Sequence, residues 1–229
     1  MAPGIELFGL TISEPMTTAT DYLVTVVGMW LGTRLLRSGS AFGSSAQLWG
    51  VGLLMAGLAA FLGGTSHGFA TYLGDSAGFL TWKVTVYSIG LSAYFALAGA
   101  IAGASLGVAT RRRFHELNIV AFLTYGIWMI NHGGFIYVIL YYISAMIAIA
   151  AFNGNACLRA RKPGPRWIIA GVIATLAGAA IQRSRFTLHV HFNHNDLYHL
   201  VQVVALCLFY RGVVLSTARQ AQARGAMTA

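Results

Sequence analysis

The sequence predicts an all-α, polytopic membrane protein that folds as a single seven-transmembrane-helix bundle. Of its 229 residues, 57% are hydrophobic and only 9% are charged, whereas about a quarter of a soluble domain is charged. The apolar residues gather in runs long enough to cross a bilayer, and the basic residues cluster between these runs. We expect the bundle to occupy residues 1–217 and a disordered cytoplasmic tail to occupy residues 218–229.

Seven apolar runs reach or approach the length of a transmembrane helix, which is about 20 residues. The fourth and fifth runs come from one continuous stretch, Leu117 to Phe152, which is too long for a single pass. The sequence NHGG at residues 131–134 predicts a break within this stretch. The predicted spans are residues 15–37, 47–67, 79–108, 116–131, 133–153, 166–184 and 195–216.

The basic clusters orient the predicted bundle. They follow the first, third, fifth and seventh runs, so seven spans place all of them on one side of the membrane. Loops rich in Lys and Arg stay in the cytoplasm, which puts the N-terminus outside and the C-terminus inside. This placement accounts for the net charge of +9 without a nucleic-acid partner. The N-terminal segment lacks the basic region expected of a cleavable signal peptide. The clusters are Arg34/Arg37, Arg111/Arg112/Arg113, Arg159/Arg161/Lys162/Arg166 and Arg211/Arg219/Arg224.

With this orientation, nearly all titratable side chains that bind metals or move protons fall in one layer near the outer surface. Hydropathy alone does not require such a concentration, so the layer predicts the functional region. It contains six histidines and five acidic residues: His67, His132, His189, His191, His194, His199, Glu6, Glu14, Asp21, Asp75 and Asp196.

The seventh run carries the densest part of this layer. Asn195, Asp196 and Gln202 share one helical face with His199, and His194 lies just before the first turn. Imidazole nitrogens and carboxylate oxygens are the ligands that Zn²⁺ takes in proteins. An ionisable residue ahead of an apolar run favours a functional role for His199. For His189 and His191, hydrogen bonding to water and headgroups is an equally good interpretation.

The first run begins with ISEPMTTATDYL, in which Pro15 suits the first helical position with Ser13 or Glu14 as the cap. A carboxylate such as Glu14 is also favourable at a helix N-terminus for structural reasons alone. Asp21 lies more than a turn inside the run, so it needs a partner, which we expect to be a cation, Lys83 or a histidine.

The second run ends with LGGTSHGF, whose glycines permit close helix packing and which delivers Ser66 and His67 to the outer edge. A lone histidine at such a place is most often a hydrogen-bonded structural group, and His67 gains interest because His199 shares its layer. Lys83 in the third run either extends to the outer interface or pairs with Asp21 or Asp75.

The EP…TD start of helix one, the Ser66–His67 end of helix two and HNDLYH at the start of helix seven resemble motifs of one superfamily. This is the superfamily of seven-helix membrane hydrolases, often called CREST, that contains the alkaline ceramidases and the progestin and adipoQ receptors. The resemblance implies Zn²⁺ held by a histidine of helix two and two histidines of helix seven, with a serine and an aspartate nearby. It also implies Ca²⁺ at N-terminal acidic residues, here Glu14 and Asp21.

The chain departs from that pattern at three positions, one of which is the helix-three aspartate, which has no clear match in a region that contains Lys83. Asn195 stands where the first histidine of the helix-seven HxxxH motif belongs, and Gly63 stands where the helix-two serine belongs. His67 and His199 carry over directly, while the third ligand is His194, Asp196 or none. In the last case the chain is a divergent member without the metal.

The leading hypothesis is therefore a Zn²⁺-dependent intramembrane hydrolase that cleaves an amide or ester bond of a membrane lipid, located in a bacterial inner (plasma) membrane. A zinc-bound hydroxide would attack the carbonyl carbon. The candidate metal ligands are His67, His199, His194, Asp196 and Glu14. The candidate catalytic residues, which would accept the proton or stabilise the oxyanion, are Asp196, Ser66 and Asp21.

Two alternatives come from other functional classes. Paired histidines such as His67 and His199 also ligate haem, which would make the chain a haem- or quinone-binding electron-transfer subunit. A non-catalytic receptor, transporter or accessory subunit is the other alternative, with Arg183 and Arg185 binding a lipid phosphate. The last run contains no lysine for a retinal Schiff base. The two cysteines of the chain predict neither a disulfide framework nor a thiolate metal site.

Overall fold

A computed structural model describes residues 4–38, 41–160 and 163–228. Within these residues a β-hairpin, formed by the antiparallel strands β1 (Ile5–Leu7) and β2 (Leu10–Ile12), precedes six helices. Arg161 and Lys162 of the third basic cluster lie outside the described residues. The helices are α1 (Pro15–Leu36), α2 (Ser45–Gly103), α3 (Val108–Asn131), α4 (Phe135–Ala160), α5 (Pro163–Ser184) and α6 (His194–Thr228).

Four helices in the described part of the chain are long and apolar enough to cross a membrane. They are α2, residues 135–154 of α4, α5, and residues 194–218 of α6. The chain is accordingly a helical membrane protein. The seven-span topology and its orientation stay predictions, and α6 continues to Thr228 through the residues assigned to the tail.

The second and third predicted spans belong to one long helix, α2, which bends between Phe69 and Gly74. Gly74 has φ 62° and ψ 178°, a conformation that glycine adopts at little cost. The two halves of α2 then run antiparallel, because Ser45 Oγ donates to Gly99 O at 2.7 Å. A straight helix of 59 residues would measure about 88 Å, far longer than the thickness of a bilayer, and the bend instead folds the second half back along the first.

The predicted break at NHGG is confirmed, since α3 ends at Asn131 and α4 begins at Phe135. The Lys83 side chain bonds to the end of α3 at this break and pairs with neither Asp21 nor Asp75. Its Nζ atom donates to the carbonyl oxygens of Met129 and, at 3.0 Å, Ile130. These carbonyls have no partner within α3, so the ammonium group caps the C-terminus of the helix.

Glycines set the close approach of the helices that build the site. A Cβ atom at Gly28 would lie 3.0 Å from the backbone of Gly57, which shows how tightly α1 packs on the first half of α2. The α5 and α6 helices pack in the same way, with Phe209 against the open face of Gly171. Since α6 also packs against α1, the N-terminal ends of α1 and α6 meet beside the α2 bend. We call this end of the bundle the site end.

Candidate functional site

The β-hairpin anchors the start of α1 to the α2 bend. The Thr11 backbone N–H donates to the Tyr72 hydroxyl at 2.8 Å, and the Ser13 N–H donates to Gly68 O at 3.0 Å. These bonds join residues on either side of α1 in the sequence. The first residue of α1 is thereby held next to the residues that end the first half of α2.

This anchoring brings Glu14 to His67. Glu14 is the N-cap residue of α1 and Pro15 follows it, as predicted, but the Glu14 side chain makes no capping hydrogen bond. Its Oε2 atom instead lies 3.3 Å from His67 Nδ1. The hydrogen bond with His67 holds the pKa of the Glu14 carboxyl below its usual value, although partial burial acts in the opposite direction.

Asp196 caps the start of α6 and ties it to α1. Its Oδ2 atom accepts from the Asn193 N–H at 2.6 Å, while Asn193 Oδ1 accepts from the Asn195 N–H at 2.7 Å. This reciprocal arrangement is a capping box. The other carboxylate oxygen, Oδ1, accepts from the Thr17 hydroxyl of α1 at 2.8 Å. Both oxygens of this fully buried carboxylate therefore have structural partners.

Asp21 and Thr20, adjacent residues of α1, hold His199 between them. Asp21 Oδ1 lies 3.2 Å from His199 Nε2, and Thr20 Oγ1 lies 3.0 Å from His199 Nδ1. All three side chains are buried. Gly64 of α2 permits this approach, because a Cβ atom there would lie 2.8 Å from Asp21 Cβ. The partner that Asp21 requires is thus a histidine.

Thr20 contacts both its own helix and His199. Its Oγ1 atom is within reach of two backbone carbonyls, Met16 O at 3.0 Å and Thr17 O at 3.1 Å. The same atom lies 3.0 Å from His199 Nδ1 and donates or accepts there according to the tautomer of the imidazole. With Asp21 at Nε2, both ring nitrogens of His199 have partners on α1.

A cavity of about 160 Å³ opens beside these groups. Asp21, His67 and His199 line its polar part, and the Oδ2 atom of Asp21 is buried without a hydrogen-bond partner among the described residues. The rest of the wall is mainly apolar, which suits an acyl chain. This apolar wall includes Val24, Ala56, Ile139, Ile143 and Leu206.

The described side chains do not fit the three-ligand zinc centre that the resemblance implies. Across residues 4–38, 41–160 and 163–228, no three His, Cys, Asp or Glu side chains come together around one point that would hold an ion. Both ring nitrogens of His199 bond to α1, and both oxygens of Asp196 are engaged. The zinc and Ca²⁺ assignments stay predictions, and no step of the proposed mechanism passes through a metal.

The structure separates the predicted site residues into two groups. Asp21, His67 and His199 line the cavity, with Glu14 behind His67. Ser66, His194 and Asp196 do not line it. The Oγ atom of Ser66 and the Nδ1 atom of His194 are buried without partners in the described part of the chain. His189 and His191 lie exposed in the turn before α6.

Sequence reasoning missed two kinds of site residue. Thr17 and Thr20 lie beside Asp21 in the sequence but were not expected as partners of α6, although the TTATD pattern places them within a turn of that carboxylate. Thr175 and Gln182 of α5 line the cavity. Their sequence context is an ordinary small-residue helix, so no signal marked them.

Comparison with known proteins adds the family. No curated protein and no solved structure matches the chain. A family model described as a family of unknown function (DUF6962) matches residues 16–217, which include Asp21, His67 and His199 but not Glu14. The chain belongs to this family.

Proposed function

We propose that this protein is an intramembrane hydrolase that cleaves an ester or amide bond of a lipid, with His67 as the general base. The observation that carries the proposal is the Glu14–His67 pair at the polar end of an otherwise apolar cavity. A carboxylate that accepts from Nδ1–H fixes the imidazole tautomer and leaves the Nε2 lone pair free. The Nε2 atom of His67 makes no hydrogen bond with the described residues.

The free nitrogen gives His67 a defined role. It would take a proton from water as the water oxygen attacks the carbonyl carbon of the lipid, producing a tetrahedral intermediate. The protonated imidazole, stabilised by Glu14, would then return the proton to the leaving oxygen or nitrogen. Water supplies the hydroxyl of the acid product and the hydrogen of the alcohol or amine product, so the reaction is balanced.

The Asp21–His199 pair would assist beside His67. Asp21 lines the cavity, and its Oδ2 atom has no partner in the described part of the chain. This oxygen would accept a hydrogen bond from the attacking water and orient it toward the carbonyl carbon. Thr20 would keep the imidazole of His199 in place and is a positioning residue, because it does not line the cavity.

The proposed membrane arrangement has seven spans, with the N-terminus and the site end outside and the C-terminus in the cytoplasm of a bacterial inner membrane. The positions of the basic clusters support it, since they alternate onto the side opposite the site. Reporter fusions after residues 40, 106 and 162 should report a cytoplasmic location. A fusion after residue 188 should report the outside.

The hydrolase is tested with purified protein in lipid nanodiscs, supplied with para-nitrophenyl palmitate and N-palmitoyl ethanolamine. We expect turnover of at least one substrate and a loss of about 100-fold or more in His67→Gln, which is the usual effect of removing a general base. His132→Gln is the matched control, because His132 stacks on Trp128 away from the cavity. Equal rates in the two variants would contradict the role of His67.

Elemental analysis of the same preparation tests the metal separately. Stoichiometric zinc, lost together with activity on chelation, would restore the zinc-dependent mechanism. Activity in protein free of zinc would support general-base catalysis by His67 without a metal.

A further inference from the structure

Thr175 lines the cavity and has a buried hydroxyl without a hydrogen-bond partner. The residue is 1% exposed, and its Oγ1 atom makes no hydrogen bond with any described residue. Other helical threonines in this chain donate to the carbonyl four residues earlier, as Thr25 does to Asp21 O at 3.1 Å and Thr85 to Thr81 O at 2.8 Å. The Thr175 hydroxyl is not satisfied in this way.

A buried hydroxyl without a partner is unfavourable, because it loses its hydrogen bonds to water and gains none. Valine has nearly the same shape and would avoid this cost. The hydroxyl is therefore expected to have a partner when the cavity is filled. That partner is a molecule inside the cavity, since the described protein atoms provide none.

The packing of α5 on α6 gives the depth of this hydroxyl. The open face of Gly178 meets Tyr198, and that of Gly171 meets Phe209. Thr175 lies between these two levels, so it faces the part of α6 that follows Gln202. At 1.5 Å per residue, its level is about 7 Å further from the site end than that of His199.

The surroundings of Thr175 are uncharged. Gln202 and Ser92 line the same cavity, whereas its titratable lining residues are Asp21, His67 and His199 at the site end together with the neutral phenols of two tyrosines. A charged group would be costly at this depth without a counter-ion. The group that fits is a neutral oxygen, such as a hydroxyl or a ketone, on a chain whose carbonyl lies at His67.

We propose that Thr175 is a specificity-determining residue that binds a hydroxyl or keto oxygen on the acyl chain of the lipid, at a level about 7 Å further from the site end than that of His199. This inference rests on the proposed function, because the position of the reacting carbonyl is taken from His67. It assigns the substrate class as oxygenated acyl lipids.

The proposal is tested with a matched pair of substrates: para-nitrophenyl palmitate and the same ester with a hydroxyl on its sixth carbon. We expect the wild-type protein to prefer the hydroxylated ester by about five- to tenfold in kcat/KM, which corresponds to one net hydrogen bond. Thr175→Val should reduce this preference to near one. Thr175→Ser, which restores a hydroxyl, should keep the preference.

A binding measurement separates this proposal from the hydrolase. Two ketones without a cleavable ester or amide bond serve as ligands: hexadecan-2-one, and the same ketone with a hydroxyl as far from its carbonyl as in the hydroxylated ester. Their Kd values are measured by calorimetry in nanodiscs. One result would contradict the hydrolase and support the oxygen-binding subsite at Thr175. In that result no ester is cleaved, wild type binds the hydroxylated ketone more tightly than the plain ketone, and Thr175→Val shows no such preference. If esters are cleaved without a preference, or Thr175→Val retains it, the subsite is overturned and water fills that position. Binding of neither ketone, together with no turnover, overturns both.

Discussion

Asp21 Oδ1 on α1 lies 3.2 Å from His199 Nε2 on α6, and both side chains are buried. The contact joins the first helix to the last at the polar end of a cavity whose other walls are mainly apolar. With Thr20 Oγ1 3.0 Å from the second ring nitrogen, the imidazole is held at both of its nitrogens. This clamp therefore fixes the imidazole of His199 beside the same cavity that the Glu14–His67 pair adjoins.

Removing the Thr20 hydroxyl should destabilise the clamp. Thr20→Val leaves His199 Nδ1 buried without a hydrogen-bond partner, which costs about 1–3 kcal/mol. Thr18→Val is a suitable control, because the Thr18 hydroxyl bonds only to the Glu14 carbonyl of its own helix. Thermal unfolding in detergent measures both variants. Equal stability of the two would mean that Thr20 does not hold His199.

Adding a methyl group at Gly64 should force α1 and α2 apart at Asp21. The new Cβ atom would lie 2.8 Å from Asp21 Cβ and 3.0 Å from the Tyr22 ring. Overpacking of this kind costs about 1–3 kcal/mol. Gly78→Ala is the control, since that position of α2 has open space around it. We expect Gly64→Ala to lower both Tm and turnover, and Gly78→Ala to lower neither.

Lys83 should contribute to stability and not to catalysis. Lys83→Met removes the donor to the α3 carbonyls, and each lost hydrogen bond should cost about 0.5–1.5 kcal/mol. The kcat of the folded fraction should be unchanged, because Lys83 bonds to the end of α3 and not to Asp21. A large fall in kcat with an unchanged Tm would show that the residue acts on the site.

The Glu14–His67 pair should make stability depend on acid pH. The pKa of Glu14 is lower in the folded protein than its usual value, so the unfolded chain binds a proton first as pH falls. The stabilising contribution is present above the usual glutamate pKa and is lost as pH falls through the lower, folded value. Glu14→Gln should remove this acid-dependent part of the unfolding curve. An identical acid dependence in the variant would contradict the assignment.

The helical and membrane character of the chain was predictable from the sequence, and the site only in part. Apolar runs locate the helices because each must satisfy the bilayer, and NHGG marks a true break because its residues leave the helix. The α2 bend was not predicted. The polar residues between the second and third runs indicate a loop, whereas the backbone there stays mostly helical. The sequence predicts that Lys83 extends to the outer interface or pairs with Asp21 or Asp75, whereas its partners are backbone carbonyls of α3, which a sequence does not show.

The residues of the last helix show the same limit. The sequence predicts that Asp21 needs a cation, Lys83 or a histidine as its partner, and the structure supplies a histidine, His199. Asn193 and Asp196 form a capping box whose spacing is visible in the sequence, yet Asp196 was predicted only as a ligand or proton acceptor. Thr175 could not be found, because its importance comes from a missing hydrogen bond.

The central claim is that Glu14 and His67 act together as one base at the cavity. It is tested most directly by a double-variant cycle on kcat/KM with Glu14→Gln, His67→Gln and the combination of both. Because a carboxylate that orients a base has no effect once the base is gone, the double variant should be no slower than His67→Gln alone. Losses that multiply in the double variant would show that the two residues act independently.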